Sequence, residues 1–175
     1  MAVELKTERK FDTSQFRHYI NDWNSVMHCH HYAALYTQLA DDAGDLFDGH
    51  GLLYAAAEGS IYPVFNNYFS ENNITEVDDR VAIIEQLMSF TGMGQLKITN
   101  PSSTAGTAEM PQSHVDSGWI KKWGNREKPI NSICCGYLAA AFSALHNLPE
   151  GSFTVTETQA IVTGADKSIF TITKK

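Results

Sequence analysis

The sequence predicts an α+β fold, an antiparallel sheet with about four helices packed on it, and three observations carry that prediction. Short segments rich in β-branched and aromatic residues stand toward both ends of the chain. Apolar residues at helical spacing fill the interior. Turn and cap residues divide these segments into pieces of ordinary helix and strand length.

Taken in order, FRHYI and WNSVM flank Asn21-Asp22, which predicts two strands and a tight turn. From His30 to Ala43 apolar residues recur at Ala34, Leu35, Leu39 and Ala43, and Gly44 stands where a C-terminal cap belongs. The run LLYAAAEGSIYPVFNNYF is apolar around more than one face, so it is expected to be largely buried, with Pro63 kinking or dividing it. Thr75 and Asp78 have capping-box spacing ahead of Val77, Val81, Ile84, Leu87 and Met88, a helix that stops at Gly92. GQLKIT alternates as a strand. The Pro/Ser/Thr/Gly-rich stretch from Asn100 to Ser113 predicts a long loop, and WIKKWG a short helix or turn. Pro129 introduces an Ala-rich helix ending near Asn147, and SFTVTETQAIV, TGADK and SIFTIT predict a closing β-hairpin.

With 175 residues, 43% of them hydrophobic, the chain suits one domain over 1–175, with an N-terminal half (1–99) and a C-terminal half (114–175) about the loop. The opening MAVELKTERKF lacks the apolar run of a signal peptide and no later stretch approaches a membrane span, so a cytoplasmic location and no membrane partner are expected. A net charge of −7 with scattered Lys and Arg argues against nucleic acid. Three cysteines, Cys29, Cys134 and Cys135, make no disulfide framework and are expected to be reduced.

The helix beginning Gly136-Tyr137, the strand carrying Glu157 and the hairpin ending Ile169-Phe170 resemble the 4-vinyl reductase domain family over the last third of the chain. The resemblance implies a small-molecule pocket between helices and sheet, often for hydrophobic or aromatic compounds, and commonly a homodimer. It also implies a hairpin zinc site. Carried over, its glutamate falls on Glu157, its two later cysteines on Ala160 and Ser168, and Cys134 or Cys135 lies near its upstream cysteine. One Cys and one Glu do not hold structural zinc, so none is expected there and no cofactor is assigned.

Two clusters carry candidate chemistry. His28-Cys29-His30-His31 concentrates imidazoles around a thiol at a strand-to-helix junction, and His28, Cys29 and His31 are candidate catalytic residues. Neighbouring side chains on a helix diverge by about 100°, so a metal would need a further ligand such as His50, His114, Asp48 or Asp116; metal binding, ligand contact and simple capping all stay open. His30, His114, Asp116 and Trp119 are candidate ligand-binding residues, since an imidazole oriented by a carboxylate beside an indole can clamp a phenolic ring. Ser113, His114 and Asp116 lack a nucleophile-elbow pattern, Gly92-Met93-Gly94 lacks a phosphate-loop pattern, and Cys134-Cys135 is read as a pair of buried, inert thiols.

Three functions remain. The leading one is a small-molecule-binding, sensor-like domain with an apolar cavity between the second apolar run and the Ala-rich helix. The alternatives are an enzyme acting on a small heterocyclic or tetrapyrrole-like substrate through the His28–His31 cluster, and a structural dimerising subunit, since the resembled fold is similar to that of vesicle-tethering subunits.

Overall fold

The computed structural model describes residues 3–175; residues 1–2, the start of the segment read above as carrying no signal peptide, lie outside it. A small sheet, β1 (Arg9–Asp12), β2 (Arg17–Ile20) and β3 (Trp23–Ser25), precedes three helices: α1 (His30–Asp42), α2 (Gly49–Glu71) and α3 (Val77–Phe90). Then follow β4 (Gly94–Thr99), β5 (Ala105–Ser113), α4 (His114–Trp123), α5 (Ser132–Leu145), β6 (Phe153–Gln159), a 3-10 turn (Ile161–Thr163) and β7 (Ser168–Lys174). Both sheets are antiparallel, in orders β1-β2-β3 and β4-β5-β7-β6.

The larger sheet buries one face, as strand alternation requires. Leu96 and Ile98, Ala108 and Met110, Phe153 and Val155, and Phe170 and Ile172 point into the core. Over them lies α5, buried from Cys134 through Leu145. Its other side meets α2 so closely that a Cβ on Gly136 would collide with the Tyr54 carbonyl. The two helices are therefore in direct contact at that point.

Several local expectations are corrected. The Asn100–Ser113 stretch is mostly strand: Ala105–Ser113 pairs with both β4 and β7, so its small residues serve close packing, with Gly106 set against the Phe142 ring. Pro63 does not divide α2, which runs unbroken through it. Leu52, 59% exposed, and much of that run face outward rather than into the core. The Thr75–Asp78 capping box does not form; Glu76 is the N-cap, and the Thr75 hydroxyl donates to its carboxylate. The predicted turn holds: Asn21 (φ 47°) and Asp22 (φ 64°) both adopt the left-handed conformation of a two-residue hairpin. A further strand, β1, completes that sheet.

Candidate functional site

The imidazoles meet where α4 crosses the start of α1. Gly118 permits the approach, since a Cβ there would stand 2.7 Å from the His30 carbonyl oxygen. Ser113 caps α4, its hydroxyl accepting from the Asp116 N–H at 3.2 Å, and so fixes His114 as the first helical residue. The His114 ring then lies 6.0 Å from that of His28 and 6.3 Å from that of His30, while His30 and His31 are 4.3 Å apart. Tyr32 closes one side, 5.9 Å from His28. Cys29, exposed at the N-cap of α1, brings Sγ to 3.4 Å from His31 Nδ1.

Burial lowers the pKa of His30, and His31, Lys121 and His114 add to the effect. Burial also lowers His114, helped by His28 and opposed by a backbone hydrogen bond at Cys29. Both rings are therefore neutral at neutral pH, each with one nitrogen that donates and one that accepts. His30 Nε2 is buried without a hydrogen-bond partner. Among the described residues, no three His, Cys, Asp or Glu side chains are grouped so that they could hold a metal ion.

The remaining predicted residues sit elsewhere. Trp119 packs in a second small core with Ala33, Val115, Ile130, Ala160 and Val162, its ring 4.5 Å from that of Trp123 and beneath the Arg126 guanidinium. Asp116 is fully buried and directed away from the imidazoles: Oδ1 accepts from the Val162 N–H at 2.9 Å and Oδ2 from Asn131 Nδ2 at 2.7 Å. Neither Asp48 nor His50 joins the cluster. Asp48 caps α2, and His50 shares hydrogen bonds with Ser132 (2.9 Å) and Asp41 (2.8 Å). The Asp41 carboxyl lies below its usual range; burial opposes this, but Arg126 and His50 outweigh it.

Sequence reasoning missed Asn131. Its side chain donates to Glu157 Oε1 (2.6 Å) as well as Asp116, accepts from the Ser113 hydroxyl (3.1 Å), and its backbone N–H donates to Glu157 Oε2 (3.0 Å). The clasp joins α4, α5 and the C-terminal hairpin. Glu157 occupies an inward-facing position on β6 beside Phe153 and Val155, a burial parity that flags a carboxylate needing partners. Burial raises its pKa, countered by hydrogen bonds from Asn131 and Ser168.

This donor set does not fit the zinc implied by the resemblance. Ala160 is buried in the small core, Ser168 offers a hydroxyl that accepts from the Ile161 N–H, and Glu157 is engaged by Asn131. Cys134 and Cys135 belong to the main core; burial pushes the Cys135 thiol up to about 12, with the Glu157 charge adding to it.

No protein-family model matches the chain, and no curated protein sequence matches it. Solved structures do. The phenol-responsive sensory domain of the transcription activator PoxR, bound to phenol, superposes with a TM-score of 0.75 at 14% identity, covering 95% of this chain and 84% of that one. A vinyl-4-reductase family protein from Methanocaldococcus jannaschii gives 0.56 at 18% identity, covering 86% and 84%. A trafficking protein particle complex subunit 3 from Naegleria fowleri, covalently bound to palmitic acid, gives 0.55 at 13% identity, covering 83% and 94%. The chain thus has an α+β fold of the vinyl-4-reductase type, with five helices and two antiparallel sheets among the described residues, similar over nearly its whole length to a phenol-responsive sensory domain.

Proposed function

We propose that the chain is a sensor-like domain that binds a small hydrophobic or aromatic molecule at the His28, His30 and His114 imidazoles. The observation that carries this reading is the buried, unpartnered Nε2 of His30. A buried polar atom without a partner is costly, and a ligand hydroxyl would satisfy it. Because His30 and His114 stay neutral, either can accept a hydrogen bond from a phenol while Tyr32 offers a ring face or edge. Similarity to domains whose structures hold phenol and palmitic acid supports the same class of ligand.

Calorimetric titration with phenol as the probe tests this. Loss of one hydrogen bond worth about 1.4 kcal/mol weakens binding about tenfold, so His30→Ala and His114→Ala are each expected to lose roughly that much, with His18→Ala, an exposed residue on β2, as an unaffected control. Unchanged affinity in both site variants would remove the site from the account. One observation favours the enzymatic alternative: the Cys29–His31 pair, which is positioned for proton transfer from thiol to imidazole. That reading requires Cys29→Ser to abolish turnover of a heterocyclic substrate while leaving phenol binding in place.

A further inference from the structure

Outside the imidazole cluster, three helix ends meet around His50, and they bring together a hydroxyl, an imidazole and a carboxylate. Asp41 lies in the last turn of α1, His50 is the second residue of α2 and Ser132 is the first of α5. His50 Nε2 stands 2.8 Å from Asp41 Oδ1, and Nδ1 stands 2.9 Å from Ser132 Oγ. An ionised carboxylate can only accept, so Nε2 carries the ring proton. Nδ1 of the neutral ring is then the acceptor, and the Ser132 hydroxyl donates to it. The imidazole is thus placed to take the hydroxyl proton as a general base, in a constellation defined by geometry and not by chain position.

The surroundings suit that task. Arg126 grips the Asp41 carboxylate with two bonds, Nη1 to Oδ2 at 2.8 Å and Nη2 to Oδ1 at 3.2 Å. This fixes its direction and, with His50, holds its pKa below the usual range against the effect of burial. The carboxylate therefore stays anionic while an imidazolium forms beside it. Ser132 sits at the positive end of α5, where the helix dipole stabilises charge developing on Oγ. Asn131, the N-cap, commits its side chain to Asp116 and Glu157 and makes no cap bond to the first turn. His50 and Asp41 also line an open groove of about 570 Å³, whose wall includes the exposed Leu46 and Phe47. Ser132 is itself partly exposed, one hydrogen bond from His50 at the groove.

We propose that Ser132, His50 and Asp41 form a second site in this chain, a serine esterase centre for small esters with an apolar acyl chain. Ser132 Oγ adds to the ester carbonyl carbon as its proton passes to His50 Nδ1. The tetrahedral intermediate collapses, the bond from carbonyl carbon to the alcohol oxygen breaks, and the alcohol leaves with the proton from His50. Water then attacks the acyl-serine, giving its proton to Nδ1, and the carboxylic acid departs as that proton returns to Ser132 Oγ. Ser132 and His50 touch the reacting atoms; Asp41 is a positioning residue that holds the ring and its tautomer. Leu46 and Phe47 offer the acyl chain apolar contact. The inference stands apart from the ligand reading, since it uses none of His28, His30 and His114.

A fluorophosphonate with a short alkyl chain reports an activated serine, because attack by Oγ forms an O–P bond and expels fluoride. The chain is treated with it in a Cys29→Ser background, which removes the exposed thiol, and peptide mass mapping locates the label. Ser132 is expected to be labelled in the folded chain and not in the chain unfolded in urea, a comparison that needs no further variant. His50→Gln is expected to slow that labelling about a hundredfold. Asp41→Asn is expected to lower the maximal labelling rate and leave the half-saturating probe concentration in place, a split that loss of a merely structural contact does not produce. Hydrolysis of 4-nitrophenyl butyrate is expected to fall in Ser132→Ala and His50→Gln alike. An unlabelled Ser132, labelling indifferent to unfolding or to His50→Gln, or ester hydrolysis unchanged in Ser132→Ala would overturn the assignment. Phenol binding without labelling removes this site and leaves the ligand reading; labelling without phenol binding does the reverse.

Discussion

Asn131→Ala tests the clasp between the helices and the C-terminal hairpin. The substitution removes the amide that donates to Asp116 and Glu157 and accepts from Ser113, while the backbone N–H of residue 131 keeps its bond to Glu157. Two of the three lost bonds have carboxylate acceptors, and hydrogen bonds to charged groups contribute about 1.5–3 kcal/mol each against roughly 1 for a neutral pair. The deletion also leaves two buried carboxylates facing each other, Asp116 fully buried and Glu157 nearly so. Such uncompensated charge raises the cost to about 3–5 kcal/mol, a third or more of the stability of an ordinary domain of roughly 5–15 kcal/mol.

The loss carries a sign with pH. The Glu157 carboxyl is already above its ordinary value through burial, and the Asn131 hydrogen bond is the largest influence holding it down. Without Asn131 it rises further, so the folded variant binds a proton more tightly than the unfolded chain. The stabilisation from that proton is present below the unfolded-state value and is lost as pH rises through the folded-state value, so the variant's deficit is expected to grow from about pH 5 to about pH 8. Urea unfolding followed by tryptophan fluorescence at both pH values measures it. A deficit below about 1 kcal/mol, or one equal at the two pH values, would refute the reasoning.

The other predictions follow from the same geometry. Glu157→Gln, which keeps an acceptor for Asn131 and cannot ionise, is expected to flatten the pH dependence of the melting temperature relative to the unmodified chain across the same interval. In the native chain one thiol, Cys29, is expected to react readily with an aromatic disulfide reagent, and Cys134 and Cys135 only on unfolding, because both are buried and their pKa values raised. Gly136→Ala forces a methyl against the Tyr54 carbonyl and the Ala57 side chain, so α2 must shift from α5, and calorimetry is expected to show a loss of about 1–3 kcal/mol. Gly118→Ala presses on the His30 carbonyl and is expected to weaken phenol binding, with a smaller loss of stability.

Elements with strong local signals were legible. The Asn21-Asp22 turn, the helix from His30, the strand GQLKIT and the C-terminal hairpin all stand where turn residues and periodicity place them. β5 was hidden because Gly, Ala, Thr, Pro and Ser usually mark a loop, and here their smallness serves packing beneath Phe142, a demand set by a helix about forty residues away. The same long-range logic concealed the clasp: Glu157 shows itself by its inward parity, but Asn131 and Asp116 become its neighbours only once three elements meet. For the candidate site, two separate clusters in the sequence brought His28 and His30, and His114 beside Asp116, to notice, and folding brings the three rings together. Asp116 and Trp119, next to His114 in the chain, point into other cores, because successive helical side chains diverge. Periodicity identified α1 as a helix and said nothing of which stripe the core would take.

The most direct test of the central claim is the imidazole NMR spectrum of the chain, labelled at histidine and titrated with phenol. The account predicts that the His30 and His114 ring signals move together and saturably, that His18 and His50 stay in place, and that the His114 shift diminishes in His30→Ala. Unmoved His30 and His114 signals at phenol saturation, or shifts spread evenly over every histidine, would contradict it.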